Sequence, residues 1–212
     1  MKFQRPARYT GGARLYDVVS GERPVYRAGR VVGVEELQLR PGDRVLDVGC
    51  GTGLNFPLLL DAVGPAGAVI GVDASGSMLS RARVRVAKRG WGNVRLVEAD
   101  AARLDAALAA SSSPPLFDAA LFAYSLSIIE NWRDAYAQTL ARVRPGGRLA
   151  VVDMALPVGR WQALSPLVRL ACFTGGADIT RAPWTLALQT TTATSHHVVR
   201  GGHIHIGAGT RP

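Results

Sequence analysis

Residues 45–55 read VLDVGCGTGLN. A mostly apolar run around Asp47 reads as a buried strand, and Gly49, Gly51 and Gly53 follow it. Then comes GLNFPLLLDAV, helix-like from its apolar spacing, with Pro57 tolerable in a first turn. Glycines between a strand and a helix let a ligand approach bare main chain, close to the free N–H groups of the helix start. A tight turn with no ligand would use the same letters, so the surrounding chain has to decide.

Outward from that stretch the segments alternate. AVIGVD (68–73), NVRLVEAD (93–100), FDAALFAYS (117–125) and RLAVVDMA (148–155) are near-continuous apolar runs, as expected of strands covered on both faces. Between them lie the basic helix SGSMLSRARVRVAKRG with Ser75 as its N-cap, AARLDAALAA, the loop SSSPP, and NWRDAYAQTLARV, which Pro145-Gly146-Gly147 ends. The pattern predicts an α/β fold: a doubly wound, Rossmann-like, mostly parallel sheet of seven strands, helices on both faces, and an antiparallel C-terminal strand. Two amphipathic stretches, Gly12–Val19 and Val25–Leu37, predict a helical cap over residues 1–38, ahead of a domain over 39–212. After Asp153 the rhythm changes: WQALSPLVRLACF looks helical, core-facing as the expectation and resting on a bilayer beside Arg160 and Arg169 as the alternative, a Gly/Thr-rich stretch follows, and SHHVVR and HIHIGAG flank the turn Gly201-Gly202.

The 212 residues suffice for one well-cored domain, and no apolar run is long enough to span a membrane. The basic start has no apolar core of a signal peptide, so a cytoplasmic location is the expectation. Cys50 and Cys172 form no disulfide framework. Net charge is +9, and its excess sits at the ends. Residues 1–30 carry seven Lys/Arg against two acids, residues 31–153 thirteen of each, and residues 154–212 five Arg against Asp178. Such a bias attracts anionic membranes, nucleic acid or acidic substrates, or serves solubility alone.

The loop chooses between ligands. A dinucleotide fingerprint wants G-x-G-x-x-G/A, yet Leu54 fills the sixth place from Gly49. A carboxylate at Asp47 would repel a pyrophosphate and suits the ammonium of a zwitterion. Here the chain resembles the class I S-adenosylmethionine-dependent methyltransferases, over roughly residues 40–155. The resemblance implies S-adenosyl-L-methionine as cofactor, held by Asp47, the loop residues Gly49, Cys50, Gly51 and Gly53, and Asn55. Asp73, beside Ala74, would hold both ribose hydroxyls and Met78 would pack on the adenine. Asp100 would accept from the adenine amino group, with the Ala101 N–H at the ring, and Tyr124 and Ser125 would line the methyl-donor pocket. An aminocarboxypropyl transferase and a donor-binding, non-catalytic partner subunit are the competing readings of the same site, and an NAD-dependent reductase is the last.

The acceptor is less defined. After the fourth strand the chain reads Ala123-Tyr124-Ser125-Leu126, without the Asn/Asp-Pro-Pro-aromatic grip for a planar amine, and it has no separate RNA-binding module. Nucleic acid is therefore not the expected partner. YDVVSG and the block YSLSIIENWRDAYAQTLARVRPGGRL are most similar to quinone-biosynthesis and bacterial phosphatidylethanolamine N-methyltransferases. That resemblance implies a small-molecule or lipid-like acceptor, bordered by the cap and by residues 154–194, with peripheral contact to an anionic membrane. Tyr16, Tyr124 and His196 are the catalytic candidates. His196, His197, His203 and His205 cluster late, but no acidic or Cys partner stands near in sequence, so no metal is expected.

Overall fold

The computed structural model describes residues 25–110 and 116–212. The stretch Gly12–Val19, with Tyr16, and the loop SSSPP lie outside the described residues.

Among the described residues helix α1 (Arg27–Glu35) comes first, then β1 (Arg44–Val48), α2 (Phe56–Val63), β2 (Ala68–Asp73), α3 (Gly76–Arg89) and β3 (Val94–Glu98). A short 3-10 turn at Ala101–Arg103 leads into α4 (Leu104–Ala110), followed by β4 (Phe117–Ala123), α5 (Trp132–Arg142) and β5 (Val143–Met154). A second 3-10 segment (Gly159–Leu164) continues as α6 (Ser165–Thr174), and α7 (Trp184–Thr190), β6 (Thr192–Val199) and β7 (Ile204–Thr210) close the chain. The seven strands form one sheet in the order β3-β2-β1-β4-β5-β7-β6. The first five are parallel, and β7 runs antiparallel to both β5 and β6. This is the expected doubly wound sheet.

Strand periodicity divides the core. Val45, Val69, Leu121 and Val152 point to one face, where Val34 of α1, Phe56 of α2 and Leu79 of α3 cover them. Leu46, Ile70, Phe122 and Val151 point to the other, under Leu104 and Leu108 of α4, Tyr136 of α5 and Trp184 of α7. Ser75 caps α3 by accepting from the Met78 N–H at 3.4 Å. Helix α1 lies close against the sheet because Gly29 and Gly33 bring no side chains. A Cβ on Gly29 would meet the Tyr124 hydroxyl at 2.2 Å, and one on Gly33 would meet Val152 at 2.4 Å.

Three elements differ from expectation. Pro145-Gly146-Gly147 does not separate helix from strand; β5 already begins at Val143. With Arg144 the three form a bulge of four residues opposite Asp118, since Phe117 pairs with Val143 and Ala119 with Arg148. Main-chain bonds from Gly146 N–H to Arg211 and from Arg211 N–H to Gly147 clip it in place. Helix α7 lies within what composition alone presents as an irregular Gly/Thr-rich stretch. Finally, α6 is not core-facing: in it only Cys172 is buried. Among the described residues no helix is long and apolar enough to cross a membrane.

Candidate functional site

Strand order reverses between β1, which continues to β2 on one side, and β4 on the other; ligands bind at such a switch point, outside the carboxyl ends of the strands. A cavity of about 310 Å³ opens there, lined from the ends of β1, β2, β3 and β4 and by Arg30 of α1.

The glycine loop forms its floor. The N–H groups of Gly49 and Cys50 both donate to the Val72 carbonyl, at 2.8 and 3.0 Å, which lashes the loop to β2. Gly49 has φ +72°, and a Cβ there would stand 2.4 Å from that of Ser125. Ser125 in turn donates its hydroxyl to the Val48 carbonyl at 2.9 Å, so the wall after β4 and the loop after β1 touch through a missing side chain.

Asp73 ends β2 with both oxygens fixed. Oδ2 accepts from the Gly51 N–H and Oδ1 from the Ser75 N–H, each at 2.8 Å. Burial still raises its pKa above the ordinary carboxylate value, against the lowering by those two bonds. Asp100 accepts the Ala102 N–H through Oδ1 at 2.9 Å and opens the 3-10 turn, which sets Asp100 and Ala101 on the cavity's edge. Ala74, Cys50 and Met78 also face the cavity, Met78 with 5% exposure. Burial pushes the Cys50 thiol far up, with the Asp47 and Asp73 carboxylates adding to it, so no reactive thiolate is indicated.

Tyr124 carries a positive φ of +60°, costly for an aromatic residue and held by its surroundings. Its N–H donates to Val152 O and its hydroxyl to Tyr26 O, both at 2.8 Å, and the Arg30 guanidinium lies over the ring, 5.0 Å from its centre.

Asp47, Asn55 and Gly53 do not line the cavity. Asp47 is fully buried behind the loop, where Asn55 donates to its Oδ1 at 2.8 Å. Asn55 Oδ1 accepts from Arg30 Nη1 at 2.7 Å. A connected run therefore links a buried carboxylate to a cation at the cavity wall. Asp47 Oδ2 has no hydrogen-bond partner among the described residues. Desolvation pushes the Asp47 pKa up to about 7, and Asn55 and Arg30 only moderate the rise. Arg30 is the residue that sequence reasoning missed: it counted among the basic excess of the N-terminal segment, and nothing in its local sequence distinguishes it. Thr52, Leu54, Ile128, Ile129 and Glu130 complete the wall.

The histidines lie elsewhere. His196, on β6, is exposed and outside the cavity lining; its Nε2 and His205 Nδ1 are 3.1 Å apart and the rings stack. His197 bonds Glu36 at 2.7 Å, and His203 Nδ1 lies 2.7 Å from the Ala155 carbonyl. Among the described residues no three His, Cys, Asp or Glu side chains stand together as a metal site.

A family model for a methyltransferase domain matches residues 45–147. The ubiquinone/menaquinone biosynthesis C-methyltransferase UbiE of Ectopseudomonas mendocina is 35% identical over 144 residues, which cover 68% of this chain and 53% of that protein. The protein of the same name from Azotobacter vinelandii is 37% identical over 147 residues, covering 68% and 54%. The chain thus spans about half the length of the curated relatives it matches. An Aquifex aeolicus SAM-dependent methyltransferase superposes with TM-score 0.61 at 20% identity over 98% of both chains. Haemonchus contortus phosphoethanolamine N-methyltransferase 2, in complex with S-adenosyl-L-methionine, superposes with TM-score 0.71 at 15% identity, covering 98% of this chain and 58% of that one.

Proposed function

The chain belongs to the class I S-adenosylmethionine-dependent methyltransferase family, and from that premise we propose that it transfers a methyl group to a small, lipid-like acceptor. The observation that carries this reading is the pair of main-chain bonds that aim Asp73 into a cavity built on the glycine loop. A carboxylate with both oxygens already oriented suits two adjacent hydroxyls of a ribose, and Met78 and Asp100 stand on the same wall for a flat purine with an amino group. The donor, when bound, supplies a methyl group on a positively charged sulfur.

The chain's own part is holding and orienting. Asp73 would accept from the ribose and Asp100 from the adenine amino group, while the glycine loop, its main chain held by β2, would border the amino-acid end. Arg30 adds a cation at the wall that suits the carboxylate of that end. Such a displacement needs alignment and exclusion of water more than acid–base help, and the rigid seating of Tyr124 and Ser125 supplies a fixed wall. The relatives' names point to an acceptor of the quinone type, methylated on carbon. A cytoplasmic location with peripheral membrane contact accords with such an acceptor.

Incubation of the protein with methyl-labelled S-adenosylmethionine and a cell extract, followed by phase partition, tests the reading. Label is expected in the organic phase. Label in RNA or protein, or no binding of the donor by calorimetry, would overturn it.

A further inference from the structure

From Val158 to Phe173 every third residue is a large apolar one: Val158, Trp161, Leu164, Leu167, Leu170 and Phe173. All six are between 46% and 79% exposed. In the 3-10 segment a spacing of three keeps side chains in one line, whereas in α6 it drifts by about 60° per step, so the strip fans out along the helix. The opposite, more enclosed side of α6 is Ser165, Val168 and Cys172. A helix that turns its bulky apolar residues outward departs from the ordinary amphipathic rule, and such a patch marks a contact surface.

Charge identifies what it contacts. Residues 155–177 contain Arg160 and Arg169 and no acid. The turn against which Trp161 and Val158 pack, at Gly201 and Gly202, adds the exposed Arg200. A second copy docked through the same strip about a two-fold axis would set these arginines against each other with no acid to pair them. Residues 1–24 bring five more Lys/Arg against two acids, so their charge does not complement the strip either. An anionic lipid surface satisfies both halves of the pattern: acyl chains take the apolar side chains and headgroups take the guanidiniums.

We propose that the 3-10 segment and α6 form an interfacial foot that seats the protein on anionic bilayers beside its cavity. This inference rests on the reading of a lipid-like acceptor. The foot is joined to the cavity wall at its root: the Asp178 N–H donates to Ser127 O at 2.9 Å, and Arg181 Nη1 donates to the carbonyls of Leu126 and Ile129, at 3.1 and 2.6 Å. Ile128 and Ile129 line the cavity. Docking the foot therefore brings that wall to the membrane, where an acceptor with an apolar tail resides.

The test is flotation of the full chain with vesicles of equimolar phosphatidylglycerol and phosphatidylcholine, against phosphatidylcholine alone. The wild type should float only with the anionic vesicles, and raised salt should weaken it. A variant carrying Leu167→Ser, Leu170→Ser and Phe173→Ser alters exposed positions and should fold. It should lose about tenfold or more in vesicle affinity while calorimetric affinity for S-adenosylmethionine is unchanged. Arg160→Gln with Arg169→Gln should remove the preference for anionic lipid. Equal flotation with neutral vesicles, none with either, or full retention by the triple variant would overturn the foot. So would a wild-type dimer that the triple variant dissolves, which would assign the strip to a second copy. Vesicle docking by a protein that fails to bind the donor would uphold the foot and overturn the methyltransferase reading.

Discussion

Asp73 shows how little of a proposed binding residue's work lies in the residue alone. Its oxygens are aimed by Gly51 and Ser75, so Asp73→Ala removes both the proposed ligand contact and the anchor of the loop. Affinity for S-adenosylmethionine should fall by about 2–3 kcal/mol, roughly 30- to 150-fold, and S-adenosylhomocysteine should lose as much, because both carry the ribose. Calorimetry on the folded variant decides it; unchanged affinity would remove Asp73 from the site. That Asp73 and Asp100 border the cavity was legible through the family resemblance, which implies an acid at the ends of the second and third strands. Arg30 was not legible, because its role arises from α1 folding back onto the β1 loop, a contact across 25 positions to Asn55. Arg30→Met should weaken donor binding about tenfold, the scale of one charge-assisted hydrogen bond. It should also raise the Asp47 pKa further, since the guanidinium, after the Asn55 hydrogen bond, is one of the groups that lower it. NMR titration of the Asp47 carboxyl would show an unmoved value if the run from Arg30 to Asp47 were inert.

Among the elements, α1 is sensitive to a single added carbon. Gly29→Ala places a Cβ into the Tyr124 hydroxyl and Ile204, so either the helix lifts or the tyrosine yields. About 1–3 kcal/mol of stability should be lost, as for an overpacked core, and donor affinity should fall with it because Arg30 rides on the same turn. Urea unfolding and calorimetry on the variant should move together; a stability loss with full affinity would detach α1 from the site. The strands and most helices could be read from periodicity, which reports which face is covered. Helix α7 escaped because seven residues offer under two full turns of pattern, and its buried Trp184 and Ala187 are fixed by distant contacts. The Pro145-Gly146-Gly147 bulge escaped because those letters signal a turn equally well, and only Arg211, far along the chain, decides for the bulge. The outward face of α6 ran against expectation for a different reason. An apolar spacing tells that a face is covered, not by what.

For the molecule as a whole, two carboxyls are buried in the sheet, Asp47 on β1 and Asp153 on β5, the strands on either side of β4. Burial raises Asp153 to about 6, despite N–H bonds from Ser127 and Met154, and Asp47 to about 7. Each binds its proton more tightly folded than unfolded. Their stabilisation is therefore full below the unfolded value near 4 and is lost as pH rises through 6 to 7. Asp118 and Glu36, held low by Arg144 and by Ser195 and His197, act in the other sense, losing stability only as pH falls below the ordinary carboxylate range. Between pH 5 and pH 8 the wild type should lose about 2 kcal/mol more than Asp47→Asn, read from urea midpoints at the two values. Parallel curves would show that Asp47 keeps its charge throughout. The cavity's architecture has one further consequence, for the order of events in folding. Its walls come from positions as far apart as Arg30 and Glu130, and β1 meets β4 only after some seventy residues of intervening chain. The stretch from Gly49 to Ala101 supplies the loop, Asp73 and Asp100, but the rest of the lining, Arg30 and the residues after β4, joins it only when the sheet is assembled, so a partly assembled chain lacks a closed cavity. Ligand at a hundred times its dissociation constant should then add about 2.7 kcal/mol to the whole sheet. Amide exchange in β1 and β4 should slow by the same factor, rather than in the glycine loop alone.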